Sequence, residues 1–271
     1  MEDEIERAVR RVIETMCDSP GEQLTIDDLA RVAMFSKFHF SRIFRRLTGV
    51  PPGRFLSAIR LQEAKTLLLS TPLCVADVCT QVGYSAVGTF STRFKYSVGV
   101  APTQYRKDRG AGMRSPAHEG AATAADAVVR GDLLAPPDGG SDLVCVGLFP
   151  DPVPEGWPVR STIVRSTGSY TLDRVPPGSW YLVAHSLVRH DTAPGSRGES
   201  ESALLCVRGP ITVRSGATRT VDLPLRTRRV FDPPVLPAVF DARPDEAVDP
   251  VVAADAVMDW SRAGTRDLVA S

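Results

Sequence analysis

The sequence predicts a two-domain chain of α plus β class, with an all-α N-terminal domain followed by a C-terminal antiparallel β-sandwich. Two observations carry this. The first is an internal repeat, in which Phe40, Ser41, Phe44, Gly49, Val50, Pro52 and Phe55 are matched 50 residues later by Phe90, Ser91, Phe94, Gly99, Val100, Pro102 and Tyr105. Apolar residues four apart, a glycine stop and a proline restart describe a helical unit used twice. The second is a set of short apolar runs after residue 126, separated by Pro, Gly, Asp and Ser turns, which is the pattern of a small antiparallel sandwich.

Each helical copy is preceded by a shorter helix. Before the first, Thr25 and Asp28 form a helix-start signal for the apolar set Leu29, Ala30, Val32 and Ala33, with Thr25 as cap and Asp28 answering it from the third position. A break at Met34-Phe35 leads to Ser36, a good cap residue for the longer helix. Before the second copy, Val75, Val78, Cys79 and Val82 form a stripe ending at Gly83, a residue suited to the left-handed closing turn. Short helix, tight turn and longer helix make a helix-turn-helix unit, present twice. Phe55, Ile59, Leu61, Ala64, Leu67 and Leu68 lie on one broad face of a connecting helix between them.

The runs 36–49, 60–68 and 82–95, with Gly99 to Arg106, resemble the DNA-binding domain of the AraC/XylS family of bacterial transcription regulators. The resemblance covers roughly residues 5 to 109. It implies seven helices and two recognition helices entering successive major-groove segments on one face of the duplex. The family pattern usually has an arginine where Thr92 stands and a capping residue where Ala86 stands. Here the arginine comes one place later, as Arg93, and Ser85 is left to supply the cap.

Charge points the same way. The whole chain is formally neutral, with 32 basic and 32 acidic residues. Between Arg31 and Lys107, however, twelve basic residues (Arg31, Lys37, Arg42, Arg45, Arg46, Arg54, Arg60, Lys65, Arg93, Lys95, Arg106, Lys107) face only Glu63 and Asp77, a local excess of +10. The balancing acid starts with Glu2, Asp3, Glu4, Glu6 and Glu14 on the first helix. A basic module in a neutral chain suggests a polyanion on one surface.

Helical geometry nominates the contacts. Phe40, Ile43, Phe44 and Leu47 must point inward, leaving Phe38, Ser41, Arg42 and Arg45 outward. Arg42 is the candidate reader of a guanine edge, unless an acid such as Glu63 holds it. Lys37, Arg45 and Arg46 suit phosphates, and Phe38 is either a thymine-methyl contact or a covered aromatic at the helix start. In the second unit the 50-residue offset places Gly88, Ser91, Thr92 and Lys95 outward, with Thr89 beside them, and Arg93 is a further candidate contact. Gly88, Ser91 and Thr92 have little reach, so the second helix is expected to anchor more than to read.

Residues 110–126, rich in Gly, Ala and Ser, read as a flexible linker. The sandwich, 127–229, has expected strands at 127–134, 143–149, 161–164, 169–172, 180–188, 203–207, 211–213 and 218–225. Within it, Gly168 to Ala184 reads as two strands joined by a Pro-Gly turn, and resembles an element of carboxypeptidase regulatory-like, transthyretin-like sandwiches. That resemblance implies a fold, not an activity. Residues 230–271 read as a Pro-rich extended tail ending in a short helix from Asp249-Pro250 to about Arg262.

No catalytic site emerges, and no cofactor is expected. Cys17, Cys74, Cys79, Cys145 and Cys206 form no C-x-x-C pair and read as reduced, mostly buried thiols. Neither Cys145 nor Cys206 has the P-C-H-R surroundings of the alkyl-accepting cysteine in repair domains fused to this DNA-binding domain in some relatives. His185, His190 and Asp191 lack a fourth metal ligand. With no signal sequence or apolar span, the expectation is a cytoplasmic regulator whose partner is double-stranded DNA, not a membrane. RNA polymerase, a small-molecule effector and self-association through the sandwich stay open as further partners. The alternative is an enzyme in the C-terminal domain that the DNA-binding domain localises.

Overall fold

The computed structural model describes residues 2–110, 126–136, 143–166, 168–187 and 203–241. The linker core 111–125, His190, Asp191 and the expected helix at 249–262 lie outside the described residues. Seven α-helices come first: α1 (Glu2–Asp18), α2 (Ile26–Ala33), α3 (Lys37–Thr48), α4 (Pro52–Ser70), α5 (Val75–Gln81), α6 (Val87–Val98) and α7 (Pro102–Lys107).

The repeat is reproduced in the packing. Phe40 meets Phe44 at 5.5 Å between ring centroids and Phe44 meets Phe55 at 5.4 Å. One repeat later Phe90 meets Phe94 at 5.7 Å and Phe94 meets Tyr105 at 5.6 Å. Each triplet anchors its own core, and α4 enters both, with Phe55, Leu56 and Ile59 in the first and Leu61, Ala64 and Leu68 in the second. Prolines at the starts of α4 and α7 cost no hydrogen bond, because that first-turn N–H has no helical partner. Gly49 (φ 78) and Gly99 (φ 96) close α3 and α6 in the left-handed region.

The caps divide in an unexpected way. Thr25 and Asp28 form the reciprocal capping box read from the sequence. Cys74 and Asp77 form another ahead of α5, with Cys74 Sγ accepting from the Asp77 N–H at 3.4 Å. Ser36 and Ala86 stand at the N-caps of α3 and α6 with no side-chain capping bond. Ser85 does not supply the missing cap, since it lies one residue before that position.

The C-terminal half holds two sheets. β1 (Ala127–Leu134) carries β4 (Ser169–Val175) antiparallel on one side and β7 (Thr218–Thr220) and β8 (Leu223–Pro224) parallel on the other. The second sheet has the order β3-β2-β5-β6-β9, built from β3 (Arg160–Arg165), β2 (Leu143–Phe149), β5 (Gly178–Ser186), β6 (Leu204–Val213) and β9 (Arg226–Thr227). The expected purely antiparallel architecture is therefore corrected to a mixed one. The run expected at 218–225 is broken, and its pieces β7 and β8 return parallel to β1, a pairing that an alternation pattern does not reveal. Two expected strands, 203–207 and 211–213, are one continuous β6. β4 and β5 do not pair with each other; the Pro176-Pro177 turn is a corner between sheets, with Trp180 Nε1 donating to the Pro176 carbonyl at 3.0 Å.

Both sheets share one core, to which Val129, Tyr170 and Leu172 contribute from the first and Val144, Val146, Leu182 and Ala184 from the second. The other face of the five-stranded sheet is covered too. Cys145, Phe149, Val183 and Leu187 pack there against Trp157, Val239 and Phe240. This explains why β2 reads as a continuous apolar run.

The cover comes from the segment expected to be an extended, Pro-rich tail. Residues 231–241, ending in a 3₁₀ turn (Ala238–Asp241), place Phe231 in the first helical core, Leu236 and Ala238 in the second, and Val239 and Phe240 on the sheet. The described tail is thus a strap bonded to both domains. Asp232 fastens its start, accepting from both Arg226 Nη atoms at 2.6 and 2.7 Å and from the Arg229 N–H at 2.7 Å.

Candidate nucleic-acid interface

α3 presents what its periodicity requires. Phe40, Ile43 and Phe44 are buried, while Phe38, Arg42, Arg45 and Arg46 are exposed and Ser41 is half-buried. Phe38 is 87% exposed, which settles its alternatives against a covered ring. Arg42 has no ion-pair partner among the described residues, so the expected competitor Glu63 does not hold it. Ser41 Oγ donates to the Lys37 carbonyl at 2.9 Å, one turn back. Phe38, Ser41, Arg42, Arg45 and Arg46 rim an open groove of about 830 Å³, closed opposite by Ile26, Pro51, Pro52 and Gly53. Arg45 and Arg46 also sit in the last turn of α3, where cations complement the carbonyl end of the helix.

Lys37 is engaged otherwise. Its ammonium lies 3.1 Å from an Asp27 carboxylate oxygen, tying α3 to α2 across the turn. The turn itself is made by Met34, a non-glycine residue in the left-handed region (φ 59) with its side chain 84% exposed. In the second unit Gly83 (φ 84) takes that conformation, and its carbonyl accepts from Gln23 Nε2 at 3.2 Å.

On α6, Gly88, Thr89, Thr92 and Lys95 are exposed and Ser91 is half-buried. Arg93 lies apart from them. Its guanidinium is 3.0 Å from Glu155 Oε1 and 5.6 Å from the Tyr96 ring centroid. Glu155 belongs to the loop between β2 and β3, so a residue of the C-terminal half occupies this cation.

Several members of the basic set are structural. Arg54 also binds Glu155, at 3.0 Å. Arg60 donates to the Pro20 carbonyl at 2.8 Å and the Glu22 carbonyl at 2.7 Å, and Arg106 to those of Leu68 at 2.9 Å and Leu73 at 2.6 Å. Lys65 is 2% exposed, 2.8 Å from an Asp241 carboxylate oxygen. The excess of +10 thus overstates what the surface offers. The sequence could not reveal this, because the partners lie up to 176 residues away.

The profile of the helix-turn-helix domain family matches residues 29–108. Those residues form a helix-turn-helix domain. An uncharacterized helix-turn-helix transcriptional regulator of Haemophilus influenzae is 39% identical over 88 residues, 32% of this chain and 30% of that protein. The transcriptional activator AarP of Providencia stuartii is 33% identical over 84 residues, 31% of this chain and 62% of that protein. A solved structure of a probable AraC family transcriptional regulator from Rhodopseudomonas palustris is 28% identical, with a TM-score of 0.36, covering 38% of this chain and 97% of that one. The chain spans less than two thirds of either curated relative. All three likenesses are far shorter than the chain, and none lends support to the carboxypeptidase regulatory-like resemblance.

No described helix is long and apolar enough to cross a membrane. Among the described residues no three His, Cys, Asp or Glu side chains gather in a metal-binding group. His185 is on the covered face of β5, 5.6 Å from the Phe240 ring. Burial pushes the Cys145 thiol up to about 12, so it stays protonated and unreactive. Cys79 and Cys206 are also buried, whereas Cys17 and Cys74 are exposed.

Proposed function

We propose that the chain is a bacterial, cytoplasmic transcription regulator of AraC/XylS type that binds double-stranded DNA through α3 and α6, with α3 as the main reader. One observation carries the reading: Arg42 is exposed and without an ion-pair partner among the described residues, beside Phe38 and Ser41 on a helix whose inner face is packed. A guanidinium so placed can donate two hydrogen bonds to a guanine edge, worth about 1–3 kcal/mol of discrimination. Phe38 offers an apolar contact to a thymine methyl. Arg45 and Arg46 take phosphates, joined by Lys37 once it exchanges Asp27 for DNA.

α6 contributes Gly88, Thr89, Ser91, Thr92 and Lys95, which reach a backbone or a methyl group more readily than several base edges. Arg93 is assigned to Glu155 in the free protein. The regulator names of the relatives support this reading and give none to the enzyme alternative. RNA polymerase is the further partner such a role implies. The two sheets sharing one core support a sandwich, whose resemblance to transthyretin-like folds speaks to architecture alone.

Binding by the full-length chain tests the proposal. The isolated helical domain is a poor choice, because Lys65 would lose Asp241 and both helical cores their strap residues. Log affinity for duplex DNA should fall with log salt at about 0.9 per phosphate neutralised. No binding at low salt, or binding indifferent to salt, refutes it.

A further inference from the structure

We infer that the C-terminal half is a clamp that fixes the angle between the two helix-turn-helix units, with Glu155 and Asp241 as its positioning residues and the spacing of the bound DNA segments as the property it sets. The spacing part rests on the DNA-binding reading above; the clamp itself does not.

The two units have separate cores, share the connector α4 and meet where Gln23 Nε2 donates to the Gly83 carbonyl, so their relative orientation depends on how α4 sits in each and on what braces them beside it. Two segments from the C-terminal half bridge them. In the β2–β3 loop, Val153 packs against the first core, and two residues later the Glu155 carboxylate joins Arg54 of α4 to Arg93 of α6, at 3.0 Å each. Ser97 Oγ donates to the same carboxylate at 3.3 Å. The loop continues along the end of α6, with the Gly156 N–H donating to the Ser97 carbonyl at 2.9 Å and Trp157 Nε1 to the Gly99 carbonyl at 3.0 Å. The Glu155 side chain is only 11% exposed, and the void beside it is about 10 Å³, room for at most one water.

The strap repeats the arrangement. Phe231 enters the first core, Leu236 and Ala238 the second, and Asp241 then joins α4 to α7. Its carboxylate accepts from Lys65 Nζ and, at 3.1 Å, from the Tyr105 hydroxyl. Tyr105 closes the aromatic triplet of the second unit. Both carboxylates therefore pin the same connector to the same unit at different heights. Both are anchored to one sheet, the loop as a continuation of β2 and the strap through Val239 and Phe240.

The consequence falls on DNA spacing. One base pair inserted between two contacted segments moves them apart by about 3.4 Å and turns one relative to the other by about 35°. Clamped units cannot follow that change, whereas units held only by α4 and the Gln23–Gly83 hydrogen bond follow it more readily.

The test uses the full-length wild type, Glu155→Gln and Glu155→Gln/Asp241→Asn, with duplexes selected in vitro by the wild type and re-spaced by one base pair. Each profile is normalised to that protein's best duplex, so that a change in overall affinity on freeing Arg93 does not enter the comparison. Wild type should lose about tenfold or more per base pair, the double variant about threefold or less, with Glu155→Gln between. Hydrogen exchange on the same proteins should show α6 and α7 amides opening about tenfold faster in the variants, with α2 and α3 unchanged. Should the double variant fail to fold because Lys65 is buried without its partner, Glu155→Gln decides alone. Identical spacing profiles overturn the spacing role, and unchanged protection of α6 and α7 overturns the clamp. If no duplex is bound at all, the DNA reading fails while the exchange result still judges the clamp.

Discussion

Replacing Phe44 or Arg42 separates packing from recognition on a single helix. Phe44 is completely buried, its ring edge-on to Phe40 and Phe55. Truncation to Ala leaves a cavity framed by two rings already fixed by the rest of the core, so little collapse can offset it. The expected cost is about 3–5 kcal/mol, of which each lost edge-to-face contact supplies about 0.5–1.5 kcal/mol. Arg42, two positions earlier on the opposite face, is solvent-exposed, and Arg42→Ala should change stability by no more than about 0.5 kcal/mol. Urea unfolding of the full chain followed by circular dichroism measures both. DNA binding is then measured under conditions where each variant is folded. Arg42→Ala should keep the wild-type midpoint and lose affinity, and Phe44→Ala should lower the midpoint. If Arg42→Ala proves as destabilising as Phe44→Ala, Arg42 has a structural partner and the reader assignment is wrong.

Three further expectations follow from other parts of the molecule. The repeat-related glycines Gly49 and Gly99 should differ: a Cβ on Gly49 meets nothing within 4 Å, whereas on Gly99 it would lie 2.9 Å from Trp157 Nε1. Gly49→Ala should therefore cost about 1–2 kcal/mol of left-handed strain and Gly99→Ala measurably more; equal melting shifts would contradict the docking of Trp157. Burial, with Arg228 and Lys65 adding to it, pushes the His185 imidazole down to about 4. Because the unfolded chain then takes up the proton first, stability is full above pH 6.5 and falls by up to about 3 kcal/mol as pH drops toward 4. His185→Phe should remove that loss relative to wild type, and parallel stability–pH curves would show that His185 is not the group responsible. A base-substitution scan should find penalties of about 1–3 kcal/mol in the segment facing α3 and smaller ones facing α6; equal penalties, or a preference untouched by Arg42→Ala, would refute the asymmetry.

By itself the sequence determined what depends on neighbours close along the chain. Helical period and the 50-residue repeat place Phe40, Phe44, Phe90 and Phe94 inward and Phe38, Arg42 and Thr92 outward, because side-chain direction on a helix follows from spacing alone. The Thr25–Asp28 capping box and the strand limits 127–134 and 143–149 are local in the same sense. Cys74 as a cap was missed because cysteine is not among the usual capping residues. Tertiary structure decided which charges are free. Arg42 faces solvent, whereas Arg93, one place past its repeat equivalent, meets Glu155, 62 residues away. It also decided strand partners, since β7 and β8 run parallel to β1, and β4 and β5 leave their shared turn for different sheets. Above all it decided the fate of residues 231–241. Their prolines and scattered apolar residues carry no periodicity, because the surfaces they bury against are two helical cores and the back of a sheet, brought together only when the chain is folded.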